Sequence, residues 1–97
     1  MSIVGKEGVQ IGRIRRAGLS RVRETAKRKG LSAARIDQDM EILRAVANGS
    51  VATAAEKCRV TKSAVRYRLK LYEEIAGAIL DNDRRRLRHD AAGDSRR

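Results

Sequence analysis

The sequence predicts an all-α fold, with a core of three helices, a basic N-terminal arm before it and a short helical C-terminal tail after it. The chain contains no proline, and apolar residues almost nowhere alternate with polar ones as they do in a half-buried strand. Between residues 36 and 76, apolar residues instead recur at helical spacing. We therefore expect one small domain over residues 37–76, flanked by the arm (residues 1–36) and the tail (residues 77–97).

The arm is expected to lack long regular structure. It holds 10 basic and 2 acidic side chains, and four glycines interrupt it before residue 19. A short strand over residues 9–15, pairing with the same segment of a second subunit, is one interpretation of its first part. A short helix from Leu19 should follow, with Ser20 as its cap and Gly30 as its stop.

The first two core helices are marked by capping residues. Ser32 or Asp37 caps the first, which ends at Gly49, and Ser50 caps a shorter second helix that runs to about Cys58. Their expected inward residues are Ile36, Met40, Ile42, Leu43, Val46 and Ala47 in the first helix, and Val51, Ala54, Ala55 and Cys58 in the second.

The third core helix has two different faces. Thr61 caps it after a tight turn, and it should end near Ala76, before Gly77. At 100° per residue, Leu69 and Tyr72 fall within about 40° of Val65 and form the apolar face. The opposite side carries the hydrogen-bonding groups of Ser63, Arg66, Tyr67 and Lys70. Such a helix can pack through one face and contact base edges with the other, as the recognition helix of a helix-turn-helix does.

Charge indicates the class of partner. The chain has 23 Lys and Arg against 12 Asp and Glu, a formal net charge of +11. Double-stranded DNA is the favoured polyanion, because a basic protein gains free energy by releasing counterions condensed on phosphates. An anionic membrane surface is the rival. No run approaches the roughly 20 apolar residues of a spanning helix. The start of the chain lacks an apolar stretch of signal-peptide length, so a cytoplasmic location at the nucleoid is expected.

We expect no enzymatic activity. Without Phe or Trp, the chain lacks the bulky side chains that usually line substrate pockets. The single cysteine, Cys58, has no partner for an internal disulfide, and His89 alone gives no zinc-ligand spacing. No metal, cofactor or small-molecule effector is therefore inferred, and the fold must depend on helix packing or on packing between subunits.

The stretch TAAEKCRVTKSAVRYRLKLYEEIAG resembles the C-terminal helix-turn-helix of PucR-type transcriptional regulators. In that family a run of the form AVRYRL, followed by an acidic pair and a glycine, is typical. The stretch is similar, more loosely, to Fis-type and resolvase-type helix-turn-helix domains. Arg59 stands where many such domains have glycine, and the large sensory region of PucR-type proteins has no counterpart in these residues. The resemblance covers about residues 40–80 and implies DNA contacts from Lys62, Ser63, Arg66, Tyr67 and Lys70.

Two further groups complete the candidate DNA-binding set. The string GRIRRAG suggests a flexible arm whose arginines enter the minor groove, as in resolvase-type DNA-binding domains. Thr61 would place its hydroxyl and a helix N-terminus near a phosphate, and Ser50 holds the same position on the preceding helix. The candidate DNA-binding residues are Arg13, Arg15, Arg16, Ser50, Thr61, Lys62, Ser63, Arg66, Tyr67 and Lys70.

These observations predict a sequence-specific transcriptional regulator that binds DNA as a homodimer or a higher homo-oligomer, and that acts as a repressor. One module buries limited area on DNA, so useful affinity needs two modules on a twofold site. The pairing surface would come from residues 1–36, from the segment after Gly77, or from both. The open alternatives are a nucleoid-associated or architectural protein, an RNA-binding protein, and an accessory factor for plasmid, phage or recombination processes.

Overall fold

The computed structural model describes the backbone of residues 5–95 and the side chains of residues 5–87. Across this range the chain is helical, without a strand, which confirms the predicted all-α class. The helices are α1 (Lys6–Ala17), α2 (Leu19–Arg28), α3 (Ala33–Ala47), α4 (Val51–Cys58) and α5 (Lys62–Ser95).

One apolar core joins all five of these helices. The long α5 lies at its centre, packs most extensively along α1, and also contacts α2, α3 and α4. Each helix contributes fully or almost fully buried side chains, for example Ile14, Val22, Ile36, Ala54 and Val65. Apart from Met40 and Tyr72, the buried core side chains are aliphatic, so the core forms mainly by close packing of aliphatic residues between helices.

The predicted caps of the core helices are present. The Ser32 hydroxyl accepts a hydrogen bond from the Arg35 N–H of α3 at 3.2 Å, so Ser32, and not Asp37, is the cap. The Ser50 hydroxyl accepts from Thr53 N–H at 3.2 Å at the start of α4. Because each hydroxyl satisfies a backbone donor that the helix leaves unpaired, these residues fix where α3 and α4 begin.

The prediction of an arm without long regular structure is wrong, and so is the alternative of a strand over residues 9–15. Residues 6–17 form α1, which includes two of the glycines. Glycine costs about 1 kcal/mol relative to alanine within a helix. Burial of Ile11, Ile14 and Ala17 on one side of α1 outweighs that cost.

The short helix predicted from Leu19 is α2, but its cap differs. Gly18, with φ +96°, precedes the helix, and Ser20 lies within its first turn. The predicted stop is confirmed, because Gly30 has φ +98° just after α2. The Leu31 N–H then donates to the Ala26 carbonyl at 3.2 Å, which closes the helix end and turns the chain toward α3.

The expected end of the third core helix near Ala76 is also wrong, since α5 continues to Ser95 in place of a separate short tail helix. The apolar stripe of α5 passes through Gly77 without interruption, with Ile75, Ala76 and Ile79 buried in the core. Beyond them, the two terminal guanidinium nitrogens of Arg21 on α2 donate to the Asp83 carboxylate, at 2.8 and 2.7 Å. This pair also lowers the pKa of the Asp83 carboxyl. Tertiary contacts on both sides of Gly77 therefore keep the helix continuous.

Candidate nucleic-acid interface

The turn between α4 and α5 positions the candidate reading helix. Arg59 adopts a left-handed backbone conformation, φ 58°, where glycine is the usual residue. Next to it, the Val60 N–H donates to the Ala55 carbonyl at 2.9 Å. The Thr61 hydroxyl then accepts from the Ala64 N–H at 3.0 Å and caps α5. These bonds hold the three-residue link in one conformation, so the direction of α5 relative to α4 is fixed.

The outward face of the first turns of α5 is polar and basic. All five predicted contact residues on this helix are exposed, and 54% of the Tyr67 surface is open to solvent. The apolar face is buried, with Val65 and Tyr72 at 0% exposure and Leu69 at 1%. We call the outward set the α5 face: Lys62, Ser63, Arg66, Tyr67 and Lys70.

A buried carboxylate connects this helix to α3. Asp39 is completely buried, and its two oxygens accept hydrogen bonds from the Arg68 Nε at 2.6 Å and the Tyr72 hydroxyl at 2.7 Å. Arg35 adds a longer ion pair, with its Nε 3.8 Å from an Asp39 oxygen. Burial and the hydrogen bond to Asp39 raise the pKa of Tyr72 above its ordinary value. The network sets the rotation of α5 about its own axis, and therefore the direction of the α5 face.

The same network supports one residue of the α5 face directly. The guanidinium carbon of Arg68 lies 5.5 Å from the centre of the Tyr67 ring, within the range of a cation–π contact. Since Arg68 is held by Asp39, the Tyr67 ring rests against an anchored cation. This contact limits the rotamers that Tyr67 adopts, while 54% of the residue stays open to solvent.

Sequence reasoning missed Asp39 and Arg68, although both carry a signal. Asp39 is three residues after Ile36 and four before Leu43, so it lies within the apolar stripe of α3. On α5, Arg68 falls about 60° from Val65, on the buried side. A carboxylate and a guanidinium on facing apolar stripes predict a buried ion pair.

The three arginines of α1 are not on a flexible arm, because they belong to a packed helix. Arg13 forms an ion pair with Glu73 of α5, at 3.0 Å. Arg15 is exposed on the side of α1 next to α3. Arg16 is exposed between the side of α1 that faces α5 and the side that faces α3. The three guanidinium groups therefore diverge around α1, and they cannot enter one minor groove as a single extended segment.

A cleft beside the α5 face includes the start of α1. It measures about 370 Å³ and is lined by side chains from both helices. Gln10 and Arg13 of α1 both donate to the Glu73 carboxylate at 3.0 Å, which fixes the two helices against each other there. Lys6 and Glu7 line the α1 side of the cleft, opposite Arg66, Lys70 and Glu73. The α5 face thus has a third lysine next to it that sequence spacing alone did not place there.

The two cap residues in the candidate set are both exposed. Ser50 begins α4 and Thr61 begins α5, and each side chain already accepts a backbone hydrogen bond. A second hydroxyl, that of Thr53, lies 3.1 Å from the Ser50 hydroxyl. The N-termini of α4 and α5 therefore both present polar hydroxyls at the surface, in a field that favours anions.

Comparison with known proteins gives no further assignment. No family model matches the chain, and no curated sequence or solved structure shows significant similarity to it. Within the described helices, none is both long enough and apolar enough to cross a membrane.

Proposed function

We propose that this protein binds double-stranded DNA by placing the α5 face in the major groove, and that it is a sequence-specific transcriptional regulator. In this proposal α3, α4 and α5 form a helix-turn-helix, with α5 as its recognition helix. The observation that carries the proposal is the α5 face itself. Five exposed polar or basic side chains lie together on one side of a helix whose other side is fully buried.

The helical form of the α5 face and its few aromatic side chains support duplex DNA over RNA. A helix enters the major groove of B-DNA, whereas the corresponding groove of RNA duplexes is too narrow for side chains to read. Recognition of single-stranded RNA depends on aromatic stacking, and Tyr67 is the one exposed aromatic side chain in the described structure. Arg66 suits bidentate contact with guanine, and Tyr67 and Ser63 can donate to or accept from base edges.

Phosphate contacts come from the margins of the face. Lys62, Lys70 and the nearby Lys6 supply the salt-dependent affinity, together with the exposed caps Ser50 and Thr61. Arg13 lies close enough to α5 to join them on exchanging its Glu73 partner for a phosphate. Arg15 and Arg16 would contact only the phosphate backbone of the DNA, farther from the base-reading residues.

We further propose that the regulator is a homodimer that represses by occupying a twofold site. Leu87, on the C-terminal half of α5, supports this pairing, because it is an apolar side chain that is 71% open to solvent. A paired α5 would cover this leucine. Two modules would also give the buried area that specific binding at cellular salt requires.

The test is selection of bound sequences from a random DNA pool by the full chain, in parallel with Arg66→Ala and Arg28→Ala. Arg28 is an exposed arginine on α2 and serves as a charge-matched control. The wild-type chain should enrich a palindromic motif, and Arg66→Ala should lose preference at one base pair in each half-site. That loss should correspond to about 1–3 kcal/mol of discrimination.

Each outcome of the selection has a defined meaning. An Arg28→Ala motif identical to that of the wild type, beside a relaxed motif for Arg66→Ala, supports reading by α5. Strong binding without any enriched motif would overturn the specific regulator and favour an architectural protein. Enrichment that Arg66→Ala leaves unaltered at every position would contradict the assignment of Arg66 as a base-reading residue.

A further inference from the structure

A groove with an apolar floor and a cationic rim lies between α1, α2 and α3. Ile11, Met40 and Leu43, each less than 8% exposed, form part of its floor. Its volume is about 160 Å³, and none of its lining residues belongs to α5. It is therefore separate from the proposed DNA-binding face. The charged residues around it are Arg15, Arg23 and Arg44.

The charges of this groove are all of one sign. No acidic side chain is among its lining residues. Arg23 is partly neutralised by an ion pair with Asp37, whereas Arg15 and Arg44 have no carboxylate partner within the described part of the chain. Two arginines that line an apolar floor offer donors for a planar carboxylate, which accepts paired N–H bonds from arginine.

The size of the groove limits the apolar part of an occupant. An apolar cavity of about 150 Å³ holds a single benzene ring. A ligand whose apolar body is one ring, or an alkyl chain of similar volume, would fill the floor and cover Ile11 and Met40. A helix of another protein would need a longer apolar furrow than this groove provides.

A second copy of the chain is a poor occupant. An interface with twofold symmetry brings the same surface of both copies together. Where the twofold axis passes through the groove, the arginines of one rim would approach those of the other, and like charges in contact oppose association. The groove therefore does not supply the pairing surface of the proposed dimer.

We propose that this groove binds a small organic acid, with its apolar body on the floor between α1 and α3 and its carboxylate between Arg15 and Arg44. The ligand would bridge two helices that otherwise meet at a partly open seam. Its binding stabilises the folded chain by mass action, because the site does not exist when the chain is unfolded. The proposal does not depend on DNA binding.

Benzoate is a suitable probe, and benzamide is its neutral counterpart of the same shape. In ¹H–¹⁵N spectra of the full chain, benzoate should shift the amides of residues around the groove with a Kd of about 1 mM, as expected for so small a ligand. Benzamide should bind at least about tenfold more weakly, since it lacks the charge that arginine recognises.

Three variants locate the site. Arg44→Gln should weaken benzoate binding about tenfold, and Ala47→Leu should abolish it by placing a larger side chain in the groove. Arg28→Gln, on α2 and outside the groove, is the charge-matched control and should bind benzoate as the wild type does. A wild-type-like spectrum without ligand shows that each variant is folded.

The proposal fails if benzoate shifts are spread over the basic surface and Arg28→Gln weakens them as much as Arg44→Gln does. It also fails if benzamide binds as tightly as benzoate, because the arginines would then contribute nothing. Unchanged binding by a folded Ala47→Leu variant would place the ligand elsewhere. DNA affinity is measured separately, so none of these outcomes affects the proposed function.

Discussion

Asp39 is the residue on which the position of the α5 face most depends. It is the one completely buried carboxylate within the described structure, and it accepts hydrogen bonds from both Arg68 and Tyr72. A buried charge is tolerated only when it is paired and hydrogen-bonded, and removing one partner leaves the other uncompensated. Asp39 therefore holds α5 against α3, but the loss of either partner would cost more free energy than the loss of an apolar contact.

Replacing Asp39 with Ala should lower the free energy of unfolding by roughly 3 kcal/mol, because Arg68 then keeps a largely buried charge without a partner. Asp37→Ala is the matched control on the same helix. Its side chain is 63% exposed in an ion pair with Arg23, so its loss should cost less than about 1 kcal/mol. Urea denaturation of both variants measures this difference. Equal decreases in the free energy of unfolding would show that the Asp39 network contributes no more to stability than the exposed ion pair does.

Tyr72 should make the protein sensitive to alkali. In the unfolded chain its hydroxyl loses a proton near pH 10.0, but burial and Asp39 raise its pKa in the folded state. Above the unfolded-state pKa of 10.0, the unfolded state binds fewer protons than the folded state, so the free energy of unfolding falls as the pH rises. Urea midpoints between about pH 9 and pH 11 should decline more steeply for the wild type than for Tyr72→Phe. Parallel declines would contradict the raised pKa.

At the scale of helices, the sequence was most informative where local signals and tertiary packing agree. Ser50 and Thr61 cap their helices as predicted, and the inward stripes of α3 and α5 are buried. The extent of α1 and α5 could not be predicted in the same way. Their glycines signal interruption locally, whereas the mutual packing of two helices more than 40 residues apart along the chain decides the outcome.

Gly77→Ala tests the continuity of α5. Nothing lies within 4 Å of a Cβ added at this position, so alanine should stabilise the protein by about 0.5–1 kcal/mol through its higher helix propensity. Gly30→Ala is the contrasting variant, since φ is +98° there, and it should destabilise by about 1 kcal/mol. Thermal and urea unfolding measure both. A destabilised Gly77→Ala variant would indicate that the helix breaks at this glycine.

At the scale of the molecule, α5 determines the shape. A globular chain of this length has a radius of gyration of about 12.5 Å, whereas the observed value is 15.7 Å and the longest dimension is 57 Å. A helix of 34 residues accounts for most of that length. The α5 face lies near one end of this helix and Leu87 lies toward the other, so the proposed DNA contact and the proposed subunit pairing would use separate parts of one element.

Sequence reasoning located the α5 face but not what supports it. The helical period alone places Arg66 and Tyr67 outward, because it requires no knowledge of the other helices. The approach of Lys6 to the same face depends on how α1 packs along α5, and its glycines gave no hint of that helix. Long-range packing of this kind is therefore where single-sequence prediction was weakest.

The most direct measurement of the central claim is the salt dependence of duplex affinity for two charge-matched double variants. Lys62→Ala/Lys70→Ala removes two lysines from the α5 face, and Lys27→Ala/Lys29→Ala removes two exposed lysines at the end of α2. We expect the first variant to bind at least about tenfold more weakly, with the slope of log K against log salt smaller by about 2, and the second to match the wild type. Equal losses of affinity and slope in the two variants would contradict DNA binding by the α5 face.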